Sequence, residues 1–366
     1  MLPVAVGKSK AMSKPSVSVL IDTYNHERFI ERAITSVLEQ DMPMDGVEIL
    51  IVDDGSTDRT PEIVRRFEPR VRLIRKPNGG LASAFNAGIP ECRGEIVAFL
   101  DGDDWWAPQK LRRVVEAMEQ DPEAGIIGNG ITEVLENGDE HSEVLHDTPR
   151  FRIDSLQGAR IFRRRKSQLG TSRMTVRAEI LRKILPVPES MVIEADEYIF
   201  TLAAAFSVVS ILGEPLTFYR IHAGNLFQLS GFNKEPILRK QKSLEFLAQA
   251  LSQKLSQFGL AKDVVRAVVE TVQAEADMMR LQLTGGFPWE TVRTEWKFYR
   301  IVHEDGSLSH KIFKFVSLAP ALLCPPRMYY YFRRILASNK LYLRARKVFF
   351  PVPEPRHVTR STRYNS

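Results

Sequence analysis

Residues 96–104 read IVAFLDGDD. Five apolar residues without a break have the length and composition of a strand buried on both faces, as in a parallel sheet. The run then stops in three carboxylates within four positions, with Gly102 between the first two. A buried strand that ends in charge puts that charge at one edge of a sheet. Carboxylates gathered there repel one another unless a cation or hydrogen-bond donors sit among them.

The same cycle recurs on either side of this stretch. Residues 17–21 (VSVLI) are a second apolar segment, followed by the polar turn Asp22-Thr23-Tyr24-Asn25 and then by Phe29, Ile30, Ala33, Ile34, Val37 and Leu38 at helical spacing. Residues 47–52 repeat the strand, 53–58 (DDGSTD) the loop and 60–67 the helix. A short strand is expected at 71–75, a helix at 81–88 behind the turn Asn78-Gly79-Gly80, a helix opening at Pro108, and further strands at 125–129 and 174–176. Strands alternating with helices predict an α/β fold, a mostly parallel sheet flanked by helices. Ligands of such sheets bind beyond the carboxyl ends of the strands, which is where Asp22, Asp53, Asp54, Asp101, Asp103 and Asp104 gather.

Beyond residue 230 or so the pattern turns helical, with apolar residues at i, i+3 and i+4 through 237–255, 262–283 and 289–302. The expected organisation is a flexible tail over 1–14, an α/β domain over 15–228, and a mainly helical C-terminal region over 229–366 that ends in a basic amphipathic tail. The longest uncharged stretch, 198–213, falls short of the roughly 20 residues that span a bilayer and reads as a helix end followed by a buried strand. No transmembrane helix is predicted. The first 16 residues lack a sustained apolar core, so no secretory signal is predicted either.

Two cysteines, Cys92 and Cys324, stand far apart with no CxxC or Cys/His cluster. That argues against a disulfide framework or a zinc site and suits a reducing cytoplasm. Net charge is +6, yet residues 306–366 hold twelve Lys or Arg against Glu354 alone. That tail carries +11, leaving −5 on everything before it. A basic tail on an acidic body points to an anionic partner. From residue 311 to 350 the tail interleaves bases with Phe313, Phe315, Leu322, Leu323, Tyr329, Tyr330, Tyr331 and Phe332, a pattern suited either to a membrane interface or to core packing with a basic outer face. No nucleic-acid-binding module is recognisable, so nucleic acid is not an expected partner.

Hard oxygen ligands at the density of residues 101–104 suit Mg²⁺ or Mn²⁺ bridging a diphosphate, with Gly102 allowing close approach. From here the stretches SVLIDTYNHERFIERAITSVLEQ, VEILIVDDGSTDRT and NGGLASAFNAGIPECRGEIVAFLDGDD matter together, because their order and spacing resemble the GT-A glycosyltransferases of family 2. The resemblance covers about residues 15–225. It implies a GT-A fold and an inverting transfer of sugar from a nucleotide-diphosphate donor, usually a UDP-sugar, to a hydroxyl of a glycan or lipid-linked acceptor, as in cell-surface polysaccharide synthesis.

The resemblance also implies roles. Tyr24 and Asp54 match the pair that stacks on and hydrogen-bonds the donor's base, while Asp22 stands where the family often has a small hydroxyl residue or proline. Asn78 and Asn86 fall where the nucleotide-sugar pocket is lined. Asp101 and Asp103 match the DxD motif, Asp101 near the ribose and Asp103 as metal ligand, with Asp104 able to share either task. In the acidic segment 192–198 (VIEADEY), Asp196 takes the position of the catalytic base, and Glu194 and Glu197 are its rivals. His222, late in the sequence after a strand, matches a histidine that completes the metal shell or contacts the diphosphate. The basic run Arg163-Arg164-Arg165-Lys166 is either a phosphate contact or a solvated face.

A nucleotidyltransferase or dinucleotide oxidoreductase would need a glycine-rich phosphate loop after the first strand, and none is present. A catalytically inactive GT-A-like binding or scaffold protein is the alternative, although no carboxylate of the motifs is missing. A cytoplasmic enzyme, peripheral at the inner face of the cell membrane, is the location that charge and composition favour.

Overall fold

Apolar residues alternate to both sides of the strand at 17–23: Val17, Val19 and Ile21 face one side, Leu20 the other, and all are buried. A strand that is apolar on both faces has to be covered on both faces. The structure, a computed structural model, describes residues 16–222, 234–303 and 308–337. It places β1 (Val17–Thr23), α1 (Ile30–Leu38), β2 (Val47–Asp53), α2 (Thr60–Arg65), β3 (Arg72–Arg75), α3 (Leu81–Gly88) and β4 (Ile96–Asp101) in the expected alternation. There follow β5 (Trp105–Trp106), α4 (Lys110–Gln120), β6 (Ala124–Val134), β7 (Glu140–Ser142), α5 (Leu156–Arg165), β8 (Thr175–Arg177), α6 (Ala178–Ile184), α7 (Ala195–Phe206) and β9 (Val208–Arg220).

The strands form one sheet in the order β3-β2-β1-β4-β8-β6-β9-β5, with β7 paired to β6. β1 lies parallel to β2 and β4, β2 to β3, and β6 to β9, whereas β8 runs antiparallel between β4 and β6. Parallel register sets the strand ends level, so that Asp22 lies opposite Asp101 and Thr23 opposite Asp53. One apolar layer packs Ile21, Ile51, Ala98 and Leu100 against Ile34 and Val37 of α1 and Val114 of α4. The other packs Leu20, Leu50, Val97 and Phe99 against Phe85 of α3 and Ile199 of α7.

Six helices complete the described chain: α8 (Lys234–Gln257), α9 (Lys262–Thr284), α10 (Pro288–His303), α11 (Leu308–Ser317), α12 (Ala319–Leu323) and α13 (Pro326–Ala337). Leu244, Leu247 and Leu251 of α8 and Val264, Val268 and Val272 of α9 belong to the same apolar cluster as one face of the sheet. Helices α8 and α9 therefore share a core with the α/β layer, whereas α12 and α13 close on Leu281 of α9 in a separate cluster. β6 is longer than the 125–129 expected because β9 pairs along it as far as Val134, with register irregularities between Asn129 and Ile131. The expected boundary at 228, the tail over 1–14 and the basic residues past 337 lie outside the described residues. Both cysteines are free. Among the described residues no helix is long and apolar enough to cross a membrane.

Candidate active site

The first half of the site follows from the register of β1 and β4, which sets Asp22 beside Asp101. The chain then turns tightly: Gly102 N–H donates to the Asp22 carbonyl at 2.9 Å. A Cβ at Gly102 would come within 2.7 Å of Thr23 Oγ1 and 2.8 Å of His26 Nδ1, so glycine is what lets Asp101 and Asp103 flank so close a turn. Asp103 Oδ2 meets His222 Nε2 at 3.0 Å and lies 3.9 Å from His26 Nε2. Arg220 braces the motif, its backbone N–H donating to Asp104 Oδ1 and its Nε to the Asp103 carbonyl, both at 3.0 Å. Ser172 Oγ donates to Asp101 Oδ2 at 3.2 Å.

Crowding shows in the protonation of these groups. Burial, with the charge of Asp103, pushes Asp22 up to about 8. Burial and neighbouring carboxylates hold Asp101 and Asp104 well above the usual carboxylate range. Burial acts the same way on Asp103, but the His222 hydrogen bond and the charge of His26 and His222 outweigh it and keep that acid below its ordinary value. Oδ1 of Asp22 is buried without a hydrogen-bond partner among the described residues.

Among the described residues no three His, Cys, Asp or Glu side chains converge on one metal position. Mg²⁺ or Mn²⁺ bound with a diphosphate needs fewer, since water and phosphate oxygens complete the shell. Asp103 and His222 in contact, beside the orphaned Asp22 Oδ1 and the carboxyls of Asp101 and Asp104, whose proton affinity burial and neighbouring acids raise, form a donor set that fits a hard divalent cation.

The second half of the site is the start of α7. Glu194 precedes it in the left-handed region at φ 65°, a conformation that costs a residue with a side chain about 1 kcal/mol or more. Asp196 and Glu197 fall in the first turn, where the positive end of the helix dipole favours them. The three acids are then treated differently. Lys166 Nζ holds both carboxylate oxygens of Glu197, at 2.6 and 2.7 Å. Lys166 and Arg163 also pair with Glu275 of α9, and Lys240 of α8 pairs with Glu194 at 3.0 Å. Asp196 Oδ1 accepts the Glu197 backbone N–H at 2.9 Å, and no cation is paired with it among the described residues. Burial, then the charges of Glu194 and Glu197, push Asp196 up to about 7. Lys166 and Arg163 keep Glu197 below its ordinary value in spite of its burial.

One cavity of about 570 Å³ joins the two halves. Asp101 and Asp104 line it together with Glu194, Asp196 and Glu197, and Lys240, Glu275 and Met279 reach it from α8 and α9.

Residues 18–184 match the model of Glycosyl transferase family 2. An uncharacterized glycosyltransferase of Nostoc sp. is 32% identical over 259 residues, 66% of this chain and 76% of that one. This chain belongs to glycosyl transferase family 2. The chain spans 34% and 64% of the length of two further relatives from Bacillus subtilis. Among solved structures, this glycosyltransferase is similar in fold to Staphylococcus aureus TarS 1-349, with a TM-score of 0.53 and 19% identity over 79% of this chain and 82% of that one. TarS 1-349 is also solved with UDP-GlcNAc. A mannosyltransferase of Pyrobaculum calidifontis, solved with GDP-Man and Mn²⁺, has a TM-score of 0.51 and 19% identity over 92% of this chain and 84% of that one.

The other residues singled out in this glycosyltransferase take varied places. Tyr24 is 44% exposed at the strand-end edge. Asp54 is buried and accepts from Gly79 N–H, Gly80 N–H and Lys76 Nζ, fastening the 76–80 loop on which the exposed Asn78 stands. Asn86 grips the backbone of Val187 in both directions, at 2.7 and 2.8 Å, which ties α3 to the segment leading to α7. Of the basic run, Arg163 and Lys166 turn inward to the acids of α7 and α9, Arg165 pairs with Asp147, and Arg164 is exposed. Sequence reasoning missed His26, Ser172, Arg220 and Lys240. None of these four belongs to a motif on its own, and each meets its acid from a different part of the chain.

Proposed function

We propose that this glycosyltransferase moves a sugar from a nucleotide-diphosphate sugar to a hydroxyl of a glycan or lipid-linked acceptor, with inversion at the anomeric carbon. The observation that carries the reading is a cavity lined both by Asp101 and Asp104 of the acidic motif and by Asp196. A donor at the acidic motif and an acceptor at Asp196 would meet in it.

On the donor side Asp22, Tyr24, Asp54, Asn78, Asn86 and Asp101 form or support the pocket. The open ring of Tyr24 offers a stacking face for the base, and Asp54 and Asn86 act by holding the loops that close around it. The structural neighbours bind UDP-GlcNAc and GDP-Man. A UDP-sugar is the first donor to try. Asp103 and His222 would hold Mg²⁺ or Mn²⁺, and the mannosyltransferase neighbour is solved with Mn²⁺. Bound there, the cation supplies neutralisation of the diphosphate charge.

On the acceptor side Asp196 is the base. It takes the proton of the acceptor hydroxyl as that oxygen bonds to the anomeric carbon, while the bond from that carbon to the diphosphate breaks and its electron pair leaves with the nucleoside diphosphate. Attack from the face opposite the leaving group inverts the centre. Glu194 and Glu197 suit the task less well, because their charges are committed to Lys240 and Lys166. A proton acceptor has to be free of such a partner, and among the described residues Asp196 has none.

The +11 tail supports an acceptor near an anionic lipid surface, at the inner face of the cell membrane, in the synthesis of a cell-surface polysaccharide. Donor hydrolysis across a panel of UDP- and GDP-sugars, with and without Mn²⁺, tests the donor and the cation together. Proton NMR of the product tests the stereochemistry, and retention of the donor's anomeric configuration would overturn the single-displacement mechanism.

A further inference from the structure

α11 turns its apolar side outward. Leu308, Ile312, Phe315 and Val316 are spaced i, i+4, i+7 and i+8, one stripe of a helix, and their exposures run from 56% to 73%. α12 extends the stripe with Leu322 and with Leu323, which is 88% exposed. Packing of this region is satisfied on the other side, where Leu318, Ala321, Tyr329 and Tyr330 close on Leu281 of α9. Among the described residues the outward stripe is apolar surface left largely in solvent, with Phe315 edge-on to Trp296. A cluster of this kind on a water-exposed surface marks an interaction site.

Charge identifies the partner. Residues 306–337 contain no Asp or Glu, and Lys311 stands exposed beside Ile312, while Arg327 donates to the Leu283 carbonyl and Lys314 pairs with Glu295. A second copy docking stripe to stripe would bring like charges together. A soluble polyanion would satisfy the bases and leave six large apolar side chains in water. An anionic bilayer surface satisfies both, with side chains entering the acyl boundary and bases at the headgroups. We propose that the outward stripe of α11 and α12 is the membrane-docking face, inserting Leu308, Ile312, Phe315, Val316, Leu322 and Leu323 into anionic lipid. The proposal rests on the membrane-proximal acceptor reading and assigns its contact to particular residues. It also sets the donor–acceptor cavity at a defined side of the membrane, because α12 and α13 pack on α9, whose Glu275 and Met279 line that cavity.

The test is flotation of the full chain with phosphatidylcholine vesicles, with and without phosphatidylglycerol, comparing the native protein with a Phe315→Glu/Val316→Glu double variant. Both side chains are exposed, although the Phe315 ring meets Trp296 edge-on, so unchanged donor hydrolysis in detergent-free buffer is the check that the variant keeps its fold. The native protein is expected to float with phosphatidylglycerol vesicles, and the variant to bind them about tenfold or more weakly. Equal binding by both would overturn the docking face while leaving the membrane reading intact through residues past 337. Absence of binding by the native protein would end both. Light scattering that shows a native dimer and a monomeric variant, with no vesicle binding, would assign the stripe to a second copy instead.

Discussion

The two halves of the site hold carboxylates in opposite ways. At the donor end Asp22, Asp101 and Asp104 crowd together with Asp103, and among the described residues histidines meet only Asp103, His222 at 3.0 Å and His26 at 3.9 Å. At the acceptor end three acids lie in four positions, and two of them are neutralised by lysines from other elements. The first arrangement stores repulsion that an incoming cation relieves. In the second, lysines pair with Glu197 and Glu194, while burial and the charges of those two neighbours raise the proton affinity of Asp196, which no cation meets among the described residues.

The largest expected effect strikes the donor end. Asp103→Ala removes one member of the Asp103–His222 pair, and transfer is expected to fall about 10³-fold, in line with the several kcal/mol that a cation supplies to a leaving diphosphate. Activity that withstands excess chelator in the native enzyme would erase the contrast between the two ends.

At the acceptor end Asp196→Asn is expected to lower turnover about 10²-fold or more while nucleoside diphosphate affinity, read by calorimetry, stays within a few fold. Glu197→Gln should do far less to turnover at matched folding. The reverse ranking would move the base by one residue.

The counter-charges can be tested on their own. Lys166→Met leaves Glu197 and Glu275 without that lysine in a buried setting, and a loss of about 3 kcal/mol in chemical denaturation is expected, the usual scale for breaking a buried pair from one side. A neutral outcome would show that Arg163 alone carries the network.

The smallest effect is graded. Asp196 is raised to about 7 by burial and by Glu194 and Glu197, while Lys166, Lys240, Glu275 and Asp101 face the same cavity from other elements. The active form is the deprotonated one. Its fraction is about one half at pH 7, is nearly full above about pH 8 and falls as pH drops, so kcat/KM should lose up to about tenfold per pH unit on the acid side. A limb near pH 4 would mean that Asp196 is not crowded in solution.

Much of this architecture is legible in the amino-acid sequence. Apolar runs at 17–21, 47–52 and 96–100, each ending in polar residues, require a sheet whose strand ends collect acids, because both signals are local and periodic. The DxD positions, Tyr24 and the acidic segment around Asp196 are singled out by the resemblance to the family. Two expectations took a different form. Asn86 and Asp54 spend their hydrogen bonds on backbone, which residue type alone does not reveal. The basic run at 163–166 divided between solvent and core, since a helix sends neighbouring side chains to different faces.

The sequence by itself determined the α/β alternation, the family and the set of acids at the site, since these depend on residue type and short-range spacing. Which acid is free was decided only by the tertiary structure. Glu194 and Glu197 are quenched by Lys240 and Lys166, tens of residues away in the chain, and Asp196 stays unpaired because no cation arrives beside it from α5, α8 or α9. The apolar stripe of α11 is of the same kind: its spacing can be read in sequence, but whether it faces the core or the solvent depends on which side Leu281 and its neighbours already occupy.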